Sequence, residues 1–147
     1  MRSGGTVLGM NDSDELADRY MALWNEPEPG RRRRAVAELF TEDGAYILQP
    51  PQEIREIAAR PGLGLTATLE VHGYAALERR ASSVYEWFVA PGEFSFRRRE
   101  NVERLADVVT FNWEMVSSAG DVDAVGLVFL VLAADGRIKR DYQFIES

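Results

Sequence analysis

Cysteine is absent from this 147-residue chain, which excludes disulfides, thiolate nucleophiles and cysteine-ligated metals. Histidine is nearly absent: His72 stands alone, so no His-rich metal site can be assembled and a catalytic triad would have to use this one imidazole. No apolar run approaches the roughly 20 residues that a bilayer-crossing helix needs, and residues 1–10 lack the apolar core of a secretory signal. The expectation is a cytoplasmic protein. Positive charge is also in short supply. Seventeen Lys and Arg face 24 Asp and Glu, a net charge of −7, which argues against nucleic acid or an anionic membrane as partner. Two arginine runs test that conclusion. Arg31 to Arg34 follow the acids Glu26 and Glu28 and read as a solvated helix start, with anion binding as the other reading; Arg97 to Arg99 fall in an expected strand, which splits them between two faces.

What is present concentrates in the last third. Residues 108–116, 124–132 and 137–145 read as three consecutive strands joined by a turn at 117–121 and by Asp135-Gly136. Asp-Gly between apolar runs is a strong hairpin signal, because a type I′ turn needs positive φ at both central positions. That turn sets Asp141 across from Leu130 and Gln143 across from Val128, and the earlier turn sets Asn112 near Gly126. Side chains alternate faces along a strand. Asn112, Glu114, Val128, Asp141 and Gln143 are therefore expected on one side of the sheet, as the floor of a pocket. The same residues also fit a solvated face, with Asn112, Glu114, Lys139, Asp141 and Gln143 in water and Phe111, Trp113, Met115 and Phe129 turned to the helices.

The N-terminal half reads as helical. Leu16, Tyr20, Leu23 and Trp24 recur at helical spacing behind the capping-box pair Asp12 and Glu15, and Pro27 must end that helix. A second helix carries Val36, Leu39 and Phe40 and stops near residues 42–44; a strand at 45–49 is halted by Pro50-Pro51. The third helix places Tyr74, Leu77, Ala81, Val84, Tyr85 and Phe88 on one face. Between Pro50 and His72 runs a mixed segment with a short strand at 68–71. A connection of that length in a compact domain is often a lid. Its Gly62-Leu63-Gly64 stretch lacks the strand before and helix after that a phosphate-binding loop requires. His72, just ahead of the helix-opening Gly73, reads as a polar loop residue, with a cavity acid or base as the alternative.

Helix, helix, strand, linker, helix and then antiparallel strands make an α+β domain in which helices cover one face of a curved sheet. Residues 39–46, 73–77, Phe111 to Glu114, Asp135 to Ile138 and Asp141 to Phe144 resemble the NTF2-like superfamily, and within it the SnoaL-like proteins. The resemblance runs from Asp14 onward and implies a cystatin-like cone: three N-terminal helices packed on a curved antiparallel sheet around one apolar cavity, commonly a homodimer paired through the sheets. Residues 13–147 are expected to form this single domain after a flexible segment at 1–12.

The fold hosts enzymes and non-enzymes alike, so chemistry is carried over residue by residue. Ketosteroid isomerases place a general-base Asp where this chain has Leu48 or Gln49, and an oxyanion-binding Asp where it has Val128; only their helix-1 tyrosine has a counterpart, Tyr20. The limonene-epoxide-hydrolase branch fits better. It implies a carboxylate at Glu114, its bridging arginine at Asn112, a second carboxylate at Asp141 and a water-holding tyrosine at Tyr46, with Leu48 in place of its asparagine. Two carboxylates facing one cavity can share a proton, because repulsion and desolvation raise one pKa.

The expectation is a protein that binds a small, largely apolar molecule through Tyr20, Trp24, Tyr46, Leu48, Asn112, Val128, Leu130 and Gln143. Glu114 and Asp141 would be the catalytic pair of a cofactor-independent isomerase, cyclase or hydrolase, with no metal. The alternative is a non-catalytic, dimeric partner-binding module of the same fold.

Overall fold

Three carboxylates, Asp12, Asp14 and Glu15, occupy the first turn of helix α1 (Asp12–Asn25), where negative charge meets the positive end of the helix dipole. In the computed structural model, which describes residues 12–65 and 68–146, α1 ends two residues before Pro27. The segment at 1–12 expected to be flexible lies outside the described residues, except for Asp12. Helix α2 (Pro29–Leu39) opens on Pro29, and the Glu28 carboxylate caps it by accepting from the backbone N–H groups of Gly30 and Arg31. Those bonds hold the Glu28 carboxyl below its ordinary range.

The second helix ends earlier than its periodicity suggests. Phe40 leaves the helix in an extended conformation and opens strand β1 (Phe40–Leu48). Its partner decides this: Phe40 pairs with Ile138, and an irregularity in the ladder follows before pairing resumes at Ala45. Helix α3 (Gln52–Ala58) was not legible in the mixed segment; it has seven residues, no side-chain cap and no buried residue, so it carries no periodic signal. Strand β2 (Leu69–His72) precedes α4 (Tyr74–Val84), which widens into a π-helical turn (Tyr85–Val89). The expected three helices are therefore four: α1 and α2 lead, and α3 and α4 each follow a strand.

Strands β3 (Phe94–Arg98), β4 (Glu103–Leu105), β5 (Val108–Ser117), β6 (Val122–Leu132) and β7 (Ile138–Glu146) complete one seven-stranded sheet in the order β2-β1-β7-β6-β5-β3, with β4 also on β5. The sheet is not wholly antiparallel, since β1 runs parallel to β7. The inner face packs on α1, α2 and α4, and the core there is built from Leu23, Val36, Leu39, Phe40, Phe111 and Leu130. Burying side chains of this size stabilises the fold by about 1.5–3 kcal/mol each.

Register decides which residues share that face. As expected, Leu130 pairs with Asp141 and Val128 with Gln143. The β5–β6 pairing does not follow expectation. Val116 pairs with Val122, as the turn alone dictates, but Met115 pairs with Ala124, so Asp123 is one residue too many. A single inserted residue turns every later side chain to the other face. Asn112 consequently faces Leu127, and Trp113 faces Gly126. Phe111 and Trp113 point inward with Asp141 and Gln143, whereas Asn112 and Glu114 point outward.

Candidate functional site

Two rows of side chains cross the inner face. Tyr46, Asp141, Leu130 and Val109 are successive partners in one, and Leu48, Gln143, Val128 and Phe111 in the next. Helix α1 lays its apolar stripe over them, and so delivers Tyr20 to a position that is 1% exposed above Asp141. The Tyr20 hydroxyl donates to Asp141 Oδ2 at 2.6 Å. Gln143 Nε2 donates to the Tyr20 oxygen at 2.6 Å and also to Asp141 Oδ1. Trp113 Nε1 donates to Gln143 Oε1 at 2.8 Å. An indole N–H can only donate, so Trp113 fixes which end of the Gln143 amide points to Asp141. Gly126 makes room for this: a Cβ there would lie 2.1 Å from the Trp113 ring.

Asp141 is fully buried, and burial pushes its carboxyl up to about 7, against the opposing pull of the Tyr20 and Gln143 hydrogen bonds. Burial and then the Asp141 charge drive the Tyr20 phenol well above its ordinary range. Burial raises Tyr46 as well, opposed by the nearby Arg80 guanidinium. In this set, Asp141 is the group that changes charge near neutrality, and Tyr20 stays a neutral phenol.

Above this polar cluster opens a cavity of about 510 Å³, within the range of about 300–1,000 Å³ typical of small-molecule sites. Tyr20, Met21 and Trp24 of α1 form one wall, and Val84 and Phe88 of the α4 region another. Phe96, Trp113, Met115 and Ile145 line it from the sheet. Gln49, Pro50 and the exposed Pro51, Gln52 and Arg55, the last two from α3, complete its lining. Gln143 and Arg80 supply polar groups to the wall. Asp141 does not itself touch the cavity; Tyr20 and Gln143 stand between.

The residues singled out in the sequence divide accordingly. Tyr20, Trp24, Tyr46, Leu48 and Gln143 line the cavity. Val128 and Leu130 are wholly buried beneath its floor and contribute core. Glu114 lies on the outer face, its carboxylate held at 2.8 Å by both Arg97 and Arg99, which keep it below its ordinary range. It therefore makes no pair with Asp141, whose raised pKa comes from burial and not from a second carboxylate. Asn112 is on the same outer face, bonded to Asn101, Glu146 and the Gly126 carbonyl. His72 is exposed at the end of β2, 2.8 Å from Glu70, and does not line the cavity. Among the described residues no group of three or more His, Asp or Glu side chains is arranged to hold a metal ion, and no helix is long and apolar enough to cross a membrane.

Arg80, Trp113 and Gly126 escaped the sequence reading as site residues. For Arg80 a signal was present, since it stands three residues after Leu77 and four before Val84, at the edge of the buried stripe of α4.

No family model and no curated protein matches this sequence. Solved structures do. A SnoaL-like family protein from Agrobacterium tumefaciens, proposed to be an isomerase, superposes with a TM-score of 0.74 over 94% of this chain and 100% of its own, at 22% identity. A protein of ketosteroid isomerase-like fold from Catenulispora acidiphila, solved in complex with trimethylamine, gives 0.57 at 13% identity, covering 90% of this chain and 85% of that one. A proposed polyketide cyclase from Sinorhizobium meliloti gives 0.56 at 11% identity, covering 88% and 94%. At such identities the likeness is one of fold, and the fold of this chain is that of the NTF2-like and SnoaL-like proteins.

Proposed function

We propose that this protein binds a small, largely apolar molecule in the cavity and acts on it by acid-base catalysis, with Asp141 as the proton reservoir and Tyr20 as the group that meets the substrate. The observation that carries this reading is a fully buried carboxyl, pushed up to about 7, whose oxygens are held by two cavity-wall side chains, Tyr20 and Gln143. A general acid or base works best when its pKa lies near the operating pH.

The two charge states of Asp141 orient Tyr20 differently. When ionised, Asp141 accepts the Tyr20 proton in a hydrogen bond. When protonated at Oδ2, it donates to the Tyr20 oxygen instead, and the Tyr20 hydroxyl is released to donate to a substrate oxygen in the cavity. Proton delivery then passes from Asp141 to Tyr20 and from Tyr20 to the substrate, leaving Asp141 ionised and ready to recover a proton by the reverse path. Gln143, locked by Trp113, holds both oxygens in place throughout. Such a relay suits isomerisation, cyclisation or hydrolysis at an oxygen-bearing carbon.

Fold relatives proposed to be isomerases and polyketide cyclases are in keeping with this reading. So is the open volume, since a non-catalytic partner-binding module has no need of a cavity above a buried acid. The test begins with native mass spectrometry of freshly purified protein for a co-purified small molecule. Carbon NMR titration of the Asp141 carboxyl follows, in the parent chain and in Tyr20→Phe. We expect an apparent pKa near 7 that rises further in Tyr20→Phe, because the lost hydrogen bond favoured the charged form. A carboxyl titrating near 4 would end the proposal.

A further inference from the structure

Arg80 is the feature of the cavity that the relay leaves unused. It stems from the cavity side of α4, and its Nε is buried without a hydrogen-bond partner. The contacts it does make are slack: Nη2 lies 3.5 Å from the Tyr46 hydroxyl, and the guanidinium sits 5.3 Å from the centre of the Tyr46 ring. No carboxylate of the described residues pairs with it, in a chain where acids outnumber bases by 24 to 17. Arg97, Arg98, Arg99 and Arg137 each bond a carboxylate. A guanidinium left half-buried against aromatic and apolar side chains, with a donor unmet, is costly unless something anionic arrives.

A second cation points to the same volume. Arg55 of α3 also lines the cavity, where its Nε donates to the Pro50 carbonyl and no carboxylate of the described residues neutralises it. No carboxylate is among the residues that line the cavity, and Asp141 beneath it is held behind Tyr20 and Gln143 and is partly protonated at neutral pH. The cavity is thus an apolar chamber whose charged lining is positive.

We propose that the molecule bound here carries a carboxylate, which docks on Arg80, with its apolar body lying along Trp24, Val84 and Phe88. This rests on the reading of the cavity as a small-molecule site and names the class of molecule: an apolar organic acid. The planar guanidinium fork matches a carboxylate with two parallel hydrogen bonds. Its Nη2 is held only loosely, 3.5 Å from the Tyr46 hydroxyl, and Nε has no partner, so the group has donors to spare for an arriving anion, beside a Tyr46 ring 5.3 Å away. One such fork meets both oxygens of a carboxylate and only part of a phosphate, whose remaining oxygens would find an apolar wall.

The test compares three ten-carbon probes on the parent protein: decanoate, decanol and decyltrimethylammonium, titrated by calorimetry and by the fluorescence of Trp24 and Trp113, which line the cavity. Decanoate is expected to bind at least tenfold more tightly than decanol, and the cation not measurably. Arg80→Gln is expected to bring decanoate down to the affinity of decanol and to leave decanol unchanged, with Arg80→Lys intermediate. Circular dichroism of both variants checks the fold, and the three-probe comparison on the parent protein stands without them. Equal binding of decanoate and decanol, or tighter binding of the cation, overturns the carboxylate assignment while leaving the cavity reading intact. Binding of none of the three overturns both.

Discussion

The indole of Trp113 lies directly on the backbone of Gly126, its partner across the β5–β6 ladder, with 2.1 Å between the ring and the place a Cβ would occupy. Gly126 itself needs no unusual backbone angle; what it provides is absence of a side chain. Gly126→Ala is expected to push the indole off the strand, break its bond to Gln143 and destabilise the fold by about 1–3 kcal/mol, the usual cost of overpacking. In a Trp113→Phe background the same substitution should cost clearly less. Urea unfolding of the four proteins measures the coupling; equal costs in both backgrounds would show that the contact is not responsible.

Asp141 gives a pH dependence of definite sign. Its carboxyl, at about 7 in the fold against 3.8 ordinarily, binds a proton on folding between those values. The folded state then holds more protons than the unfolded one, so stability falls as pH rises from about 4 to about 7 and levels off above. The full change is on the order of 4 kcal/mol. Asp141→Asn removes this titration. Between pH 5 and pH 8 the parent chain is expected to lose stability relative to the variant by about 2–3 kcal/mol, while the variant loses any turnover. Parallel stability curves would contradict a buried, proton-binding Asp141.

Residues 52–65 should open readily over the cavity. Helix α3 buries none of its residues, and Ile54, Ile57, Leu63 and Leu65 are all at least 43% exposed. Little buried area holds such a segment down. Hydrogen exchange is expected to be faster here than in β6 by at least about a hundredfold. Ligand should slow it, through Gln52 and Arg55 of the cavity lining.

The outer sheet face predicts self-association. Phe129 and Phe144 stack edge-on there at 5.7 Å, and Phe144 is 44% exposed, an apolar patch that the helices on the other face cannot cover. Sedimentation at tens of micromolar protein, the order at which a stable interface is filled, is expected to give a dimer, and Phe144→Glu a monomer with the cavity intact. A monomeric parent chain would set this aside.

The last hairpin was legible because Asp135-Gly136 dictates its own turn, and Asp141 and Gln143 were placed correctly against Leu130 and Val128. Glu114 and Asn112 were misplaced for a reason no local signal discloses. The bulge at Asp123 lies one pair beyond the turn and shifts the whole remaining β5–β6 ladder, and periodicity carries no mark of it. Helix α1 declared Tyr20 and Trp24 through spacing, but whether they pack or line a cavity depends on what α4 and β3 leave unfilled. The strand at Phe40 was hidden because its helical neighbours made it look like the next turn, until pairing with Ile138 claimed it.

Strand β7 has one more consequence, for the order of folding. It alone joins β1 and β2 to β6, β5 and β3, so until residues 138–146 are seated the sheet exists as two unconnected pieces. Tyr20 and Asp141, 121 positions apart, cannot meet before that step. Closing so long a loop is entropically slow, and the strand that closes it is the one that carries the acid into the dry interior. Completion of the sheet and burial of the Asp141 charge are therefore a single event, and refolding should run faster at a pH where that carboxyl arrives already protonated.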